Sequence, residues 1–148
     1  MRSFALALVF SVAVGATAFA GDNLKLNPHL DYTSDSQDGP LITGTAMDAG
    51  FVAGKPAYVI LYGEGCYNSK RQARRTVVLY DKYKDRAQFI VIDLDQPLSP
   101  QQEKLKKAYY AGYIPHVVVL DANGAALYNR SGEVEADAIS TLLDKTLR

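Results

Sequence analysis

Cys66 is the only cysteine in the chain, and it stands in the run Gly63-Glu64-Gly65-Cys66-Tyr67-Asn68-Ser69-Lys70. A glycine-rich turn here separates an apolar run from a helix-forming segment. A thiol at a helix N-terminus meets free backbone N–H groups and the positive end of the helix dipole, which favour its nucleophilic thiolate form. Lys70, Arg71 and Arg74 follow within the first turns and add to this, whereas Glu64 opposes it. Ser69 lies one helical turn on. Its hydroxyl either bonds the sulfur or serves as an ordinary polar residue of a helix start. The plain alternative for Cys66 is a leftover thiol, but a buried structural cysteine belongs inside a strand rather than at a turn.

Further candidates lie far along the chain. Ile114-Pro115 precedes the apolar run His116-Val117-Val118-Val119-Leu120. A cis peptide there would leave the preceding backbone open to an extended substrate. A trans proline opening an edge strand is the alternative. His116 is a candidate proton carrier near the thiol, or else a half-buried strand residue bonded to backbone. Tyr67, Tyr109, Tyr110 and Tyr113 offer an aromatic rim for a peptide, or simple packing against a sheet. The basic run from Lys70 to Arg75 reads as a solvated helix face, or as an attractor of acidic partners and glutathione carboxylates.

The surrounding sequence narrows the setting. Met1-Arg2, the uncharged stretch Phe4–Phe19 and the small-x-small site Ala18-Phe19-Ala20 form a secretory signal peptide, residues 1–20. It is too short for a stable membrane anchor. Export is therefore expected, to a bacterial periplasm, with release beyond it as the alternative. A lone cysteine in an oxidising compartment is either inert or reactive on purpose. One cysteine excludes a disulfide scaffold. Formal net charge is +0 over 148 residues without a basic tract, which argues against nucleic acid or anionic membrane as the main partner. His29 and His116 are the two histidines, too few for a His-rich metal site, and neither a metal nor a cofactor is expected. A monomer is expected.

The elements that must position these residues follow from pattern. Residues 21–44 are polar and rich in turn formers, reading as an extended, loosely held arm with at most one short strand. Thr45 to Gly54 reads as a short helix capped by Thr45. Ala57–Tyr62 is an unbroken apolar run, the pattern of a strand covered on both faces. A helix is predicted from about Tyr67 to Lys82, and a second buried strand over Phe89–Asp93. Ser99-Pro100-Gln101-Gln102 is a capping-box helix start, with the helix running to about Ala111. A strand at His116–Leu120, an Asn123-Gly124 hairpin turn, a partner strand at 125–129 and a final helix after Gly132 complete the chain. The early strands should be parallel and the last pair antiparallel. The fold class is α/β: a mixed sheet of four to five strands with helices on both faces.

With these residues in this order, the chain resembles the thioredoxin superfamily over about residues 45–147. Lys55-Pro56, a buried strand, then Cys66-x-x-Ser69-Lys70 at the strand-to-helix turn is similar to the family's Trp-Cys-x-x-Cys-Lys motif. Ile114-Pro115 looks like its cis-proline, and Asp121-Ala122-Asn123-Gly124 and Gly132 match its late hairpin and the glycine before its last helix. The resemblance implies a thioredoxin-like fold, with Cys66 and Ser69 at the reaction centre and Tyr67, Ile114, Pro115 and His116 contacting substrate. The departures matter. Ser69 replaces the second cysteine, Gly65 the tryptophan, and Ile60 the acidic residue that many members bury. A hydroxyl cannot resolve a mixed disulfide as a thiolate can. The expected function is monothiol exchange, isomerase- or reductase-like, on protein or small thiols. The alternative is a non-catalytic peptide-binding module in which Cys66 is incidental. A thiol peroxidase ranks last, because the threonine and arginine arrangement that holds peroxide is missing.

Overall fold

The computed structural model describes residues 20–148; the signal-peptide reading falls on residues 1–20, almost all outside them. Among the described residues the order is β1 (Asp22–Leu26), β2 (Ile42–Thr45), β3 (Ala57–Tyr62), α1 (Tyr67–Tyr83), β4 (Gln88–Asp93), α2 (Pro100–Tyr109), β5 (His116–Leu120), β6 (Ala126–Ser131) and α3 (Ala136–Thr146). A four-stranded sheet has the order β4-β3-β5-β6, and β1 and β2 form a separate two-stranded hairpin.

Strands β3 and β5 are buried at every position, so neither alternates polar with apolar. Their side chains feed two cores. On one face Tyr58, Ile60, Tyr62, Val117 and Val119 pack with Ala73, Leu79, Tyr83, Ile139 and Leu143 of α1 and α3. On the other, Val59, Leu61, Val118 and Leu120 pack with Leu105 and Tyr109 of α2. Helices therefore cover both faces, as the sequence pattern requires.

Strand β4 is parallel to β3 as expected, but β5, also reached through a helix and expected to be parallel, is antiparallel to it. The reversal follows from the path between β4 and β5. Ser99 Oγ donates to the Asp48 carbonyl at 2.6 Å and Gln102 Nε2 to the Val91 carbonyl at 3.1 Å, so α2 starts against the β4 edge. It ends where Tyr110 meets His116 edge-on, at the end of the sheet where β4 stopped. Strand β5 can only run downwards from there. The start of α2 carries the expected capping box, with Ser99 and Gln102 bonded reciprocally.

Two further expectations fail. Residues 45–54 are not a helix: Thr45 ends β2, Ala46 has φ 52°, and the segment wraps the β4 edge. Met47 joins one core while Ala49 and Phe51 join the other. Its backbone is satisfied by side chains instead. Gln88 bonds both the N–H and the C=O of Val52, at 3.0 and 2.6 Å, and Gln102 Nε2 donates to the Met47 carbonyl at 2.8 Å. A segment this short does not nucleate a helix against such competition. Nor is the 21–44 arm loosely held. It contains two strands, and Leu24, Leu41 and Ile42 are buried in the main core.

Candidate functional site

Strand β3 delivers the chain to the turn Gly63–Gly65, and α1 begins at Tyr67 with Cys66 as its N-cap. Cys66 is extended (φ −110°, ψ 118°) and its Sγ accepts the Ser69 backbone N–H at 3.5 Å. The sulfur thus does what an N-cap oxygen does elsewhere. Cys66 is half-buried and free. Ser69 is fully buried, and its Oγ accepts the Gly63 N–H at 3.3 Å. Ser69 therefore serves Cys66 through its backbone, while its side chain closes the turn.

The register of β3 with β5 pairs Leu61 with His116, which carries Ile114 and Pro115 to the level of the turn. Ile114 packs so closely on Gly63 that a β-carbon there would strike its Cδ1. The Ile114–Pro115 peptide is cis. Tyr67 is 39% exposed and carries the Arg71 guanidinium 5.7 Å above its ring. Tyr113 is 74% exposed, whereas Tyr109 and Tyr110 pack into the second core. The turn thus gathers Cys66, Ser69, Tyr67, Ile114 and Pro115.

His116 is different. It is buried, with Nδ1 2.9 Å from Ser131 Oγ and Nε2 2.6 Å from Asn129 Oδ1. Both ring nitrogens are spent on β6, so the imidazole ties two strands together. The basic run is also committed. Arg71 and Arg75 pair with Glu133, at 3.0 and 2.8 Å, and Arg75 also with Glu135. Lys70 is buried and bonds the carbonyls of Asp31 and Ser36, both at 2.6 Å. Its charge is turned to the N-terminal loop.

A cluster beside the turn had no forewarning in the motif. Glu64 and Asp93 are both buried, at 5% and 9% exposure. Asp93 ends β4 directly opposite Tyr62, whose hydroxyl donates to Asp93 Oδ2 at 3.0 Å. The same hydroxyl accepts the Leu41 N–H at 3.1 Å. Glu64 Oε1 accepts from Gln96 Nε2 at 2.6 Å, and its N–H donates to Asp95 Oδ2 at 2.7 Å. Burial, and then the hydrogen bond and charge of Glu64, push the Asp93 carboxyl up to about 7, against the Asp95 N–H and the Tyr62 hydroxyl. Ile60 is apolar and buried, so the buried acid here comes from the neighbouring strand. A charged residue closing the apolar run Phe89–Ile92 was the available signal.

Among the described residues no group of three His, Cys, Asp or Glu side chains could hold a metal ion, and no helix is long and apolar enough to cross a membrane.

A family model of the thioredoxin-like domain matches residues 46–147. No curated protein matches the sequence. Solved structures agree in fold. A thioredoxin-like protein from Clostridium perfringens has a TM-score of 0.53 at 18% identity, over 64% of this chain and 73% of its own. Thioredoxin-2, described as a component of the malaria parasite protein secretion machinery, scores 0.52 at 18% identity, over 62% of this chain and 82% of its own. The exposed lipoprotein thioredoxin of Streptococcus pneumoniae scores 0.51 at 16% identity, over 62% and 85%. With the family model spanning most of the chain, on a sheet that carries Cys66 at the strand-to-helix turn, the chain belongs to the thioredoxin-like domain family.

Proposed function

We propose that this is an exported, periplasmic thiol–disulfide exchange protein that works through Cys66 alone. The observation that carries this reading is the sulfur at the N-cap of α1. It belongs to a half-buried residue, receives the Ser69 N–H and lies beside the turn against which Ile114 packs. The Ser69 N–H is aimed at the very atom that would attack. The Cys66 thiolate attacks one sulfur of a partner disulfide. A Cys66–partner S–S bond forms, the partner's S–S bond breaks, and the second partner sulfur leaves as a thiolate that takes a proton from water. Ser69 supplies no thiol, so a second, external thiol attacks the mixed disulfide and releases Cys66. Net exchange, either shuffling or reduction, is the result. Export rests on the leader at residues 1–20.

The test is trapping. Wild type incubated with oxidised glutathione should gain one glutathione on Cys66 by intact mass, and Cys66→Ser none. Wild type should keep that glutathione until an external thiol is added. Ser69→Cys should release it and close a 66–69 disulfide, because it supplies the internal resolving thiol one helical turn away. Neither adduct in wild type nor disulfide in the variant would leave the fold as a peptide-binding module with an idle cysteine.

A further inference from the structure

The loop between β1 and β2, residues 27–41, is closed at its base and latched at its tip. At the base, the Asn27 N–H donates to the Leu41 carbonyl at 3.0 Å, and the Tyr32 hydroxyl lies 3.0 and 2.7 Å from the carbonyls of Asn27 and Leu41. At the tip, Lys70 reaches up from α1. Its ammonium has three N–H groups and three acceptors: the Asp31 carbonyl at 2.6 Å, the Ser36 carbonyl at 2.6 Å and Ser36 Oγ at 3.1 Å. Such charge-assisted bonds are the strong ones. The latch holds the loop against the turn. Asp35 Oδ1 accepts the Tyr67 N–H at 2.8 Å, and a β-carbon on Gly65 would lie 3.3 Å from Gln37 Cβ. Both chain neighbours of Cys66 therefore touch this loop, and residue 65 is a glycine where the loop fills the space.

We infer that the 27–41 loop, latched by Lys70, is a size gate that restricts Cys66 to small thiols and disulfides and excludes folded protein partners. The inference rests on the proposed role of Cys66 as nucleophile. Lys70 acts here as a positioning residue, since it touches the loop and not the sulfur. Loop residues 35–37 meet the chain at Gly65 and Tyr67 while Ile114 packs on Gly63, so the half-buried Cys66 stands between two walls.

The experiment compares two maleimides with the same reactive head, N-ethylmaleimide and one carried on a protein-sized polyethylene glycol chain. Labelling of Cys66 is followed by mass in wild type, Lys70→Met and Asp35→Ala. In wild type the small reagent should be favoured well beyond its advantage on the urea-unfolded chain. Lys70→Met should speed the large reagent about tenfold, as expected for freeing a locally held segment, and change the small one less than about threefold. Asp35→Ala, an exposed change that spares the core, should shift the ratio in the same direction. No size preference in wild type, or an unchanged ratio in Asp35→Ala and in a folded Lys70→Met, would overturn the gate while leaving the thiol chemistry intact. Failure of the small reagent to label native Cys66 would instead overturn the thiol reading, and the gate with it.

Discussion

Glu64 and Lys70 flank Cys66 in sequence and both are buried, yet the fold treats their charges in opposite ways. Lys70 finds three oxygen acceptors, and none is a carboxylate. Glu64 is set against a second buried acid, Asp93. The first arrangement is a latch, with each donor matched to the backbone dipoles or hydroxyl of one loop. The second is a buried acid pair, in which burial, and then the hydrogen bond and charge of Glu64, favour a proton on Asp93. Tyr62 joins the two regions, because its hydroxyl binds Asp93 on one side and the end of the latched loop at Leu41 on the other. The lesson concerns which side of the turn is rigid: the loop side is fully matched, and the acid side answers to pH.

Three substitutions probe this contrast. Lys70→Ala empties a fully buried site and strips three oxygens of their donor. It should cost roughly 3 kcal/mol in urea unfolding, from cavity and lost hydrogen bonds together. A cost below about 1 kcal/mol would mean that the latch carries no stability, whatever its geometry. Tyr62→Phe removes the hydroxyl that joins the two regions and leaves buried groups unmatched on both sides. About 2 kcal/mol is expected, and amide exchange at Leu41 should quicken.

Glu64→Gln has the smallest effect and the clearest pH signature. Gln keeps an acceptor for Gln96 and offers Asp93 a donor in place of a charge. In the wild type, folded Asp93 titrates at about 7, well above the ordinary carboxyl value of 3.8. Between those two values the folded chain holds a proton that the unfolded chain has released. Stability therefore falls as pH rises from about 4 to 7, and does not recover above it. Asp31 works in the reverse direction. Hydrogen bonds from the Ser34 and Thr33 hydroxyls and the Thr33 N–H hold it at about 2, so its contribution is lost only as pH falls below 4 towards 2. Thermal unfolding against pH should show greatest stability near pH 4 to 5. Glu64→Gln should flatten the neutral limb and gain roughly 1 kcal/mol at pH 8. A wild-type profile flat from pH 5 to 8 would contradict the raised titration of Asp93.

The main sheet and its helices were legible because their patterns are local. The apolar runs at 57–62 and 116–120, the capping box at Ser99 and the Asn123-Gly124 turn each report on their own neighbourhood. That Cys66, Ser69 and Ile114-Pro115 meet at one turn was implied by the resemblance of their motifs to the thioredoxin superfamily, not by local pattern. What escaped depends on long-range partners. The 45–54 helix fails because Gln88 and Gln102, far along the chain, claim its backbone. Lys70 looks like a solvated lysine until the loop that supplies its acceptors is folded over it. His116 looks like a proton carrier until β6 brings Asn129 and Ser131 to its two nitrogens. Glu64 and Asp93 become a pair only when parallel pairing sets Tyr62 opposite Asp93.

The central claim is that the fold makes Cys66 a working nucleophile, and it is tested most directly by comparing that one thiol in the folded and unfolded chain. The rate of carboxamidomethylation by iodoacetamide near neutral pH should be higher in the native protein than in the same chain unfolded in urea, since only the folded state supplies the helix N-terminus and the Ser69 N–H. A native rate equal to or below the unfolded rate would mean that the turn shields the sulfur rather than activating it, and would contradict the account.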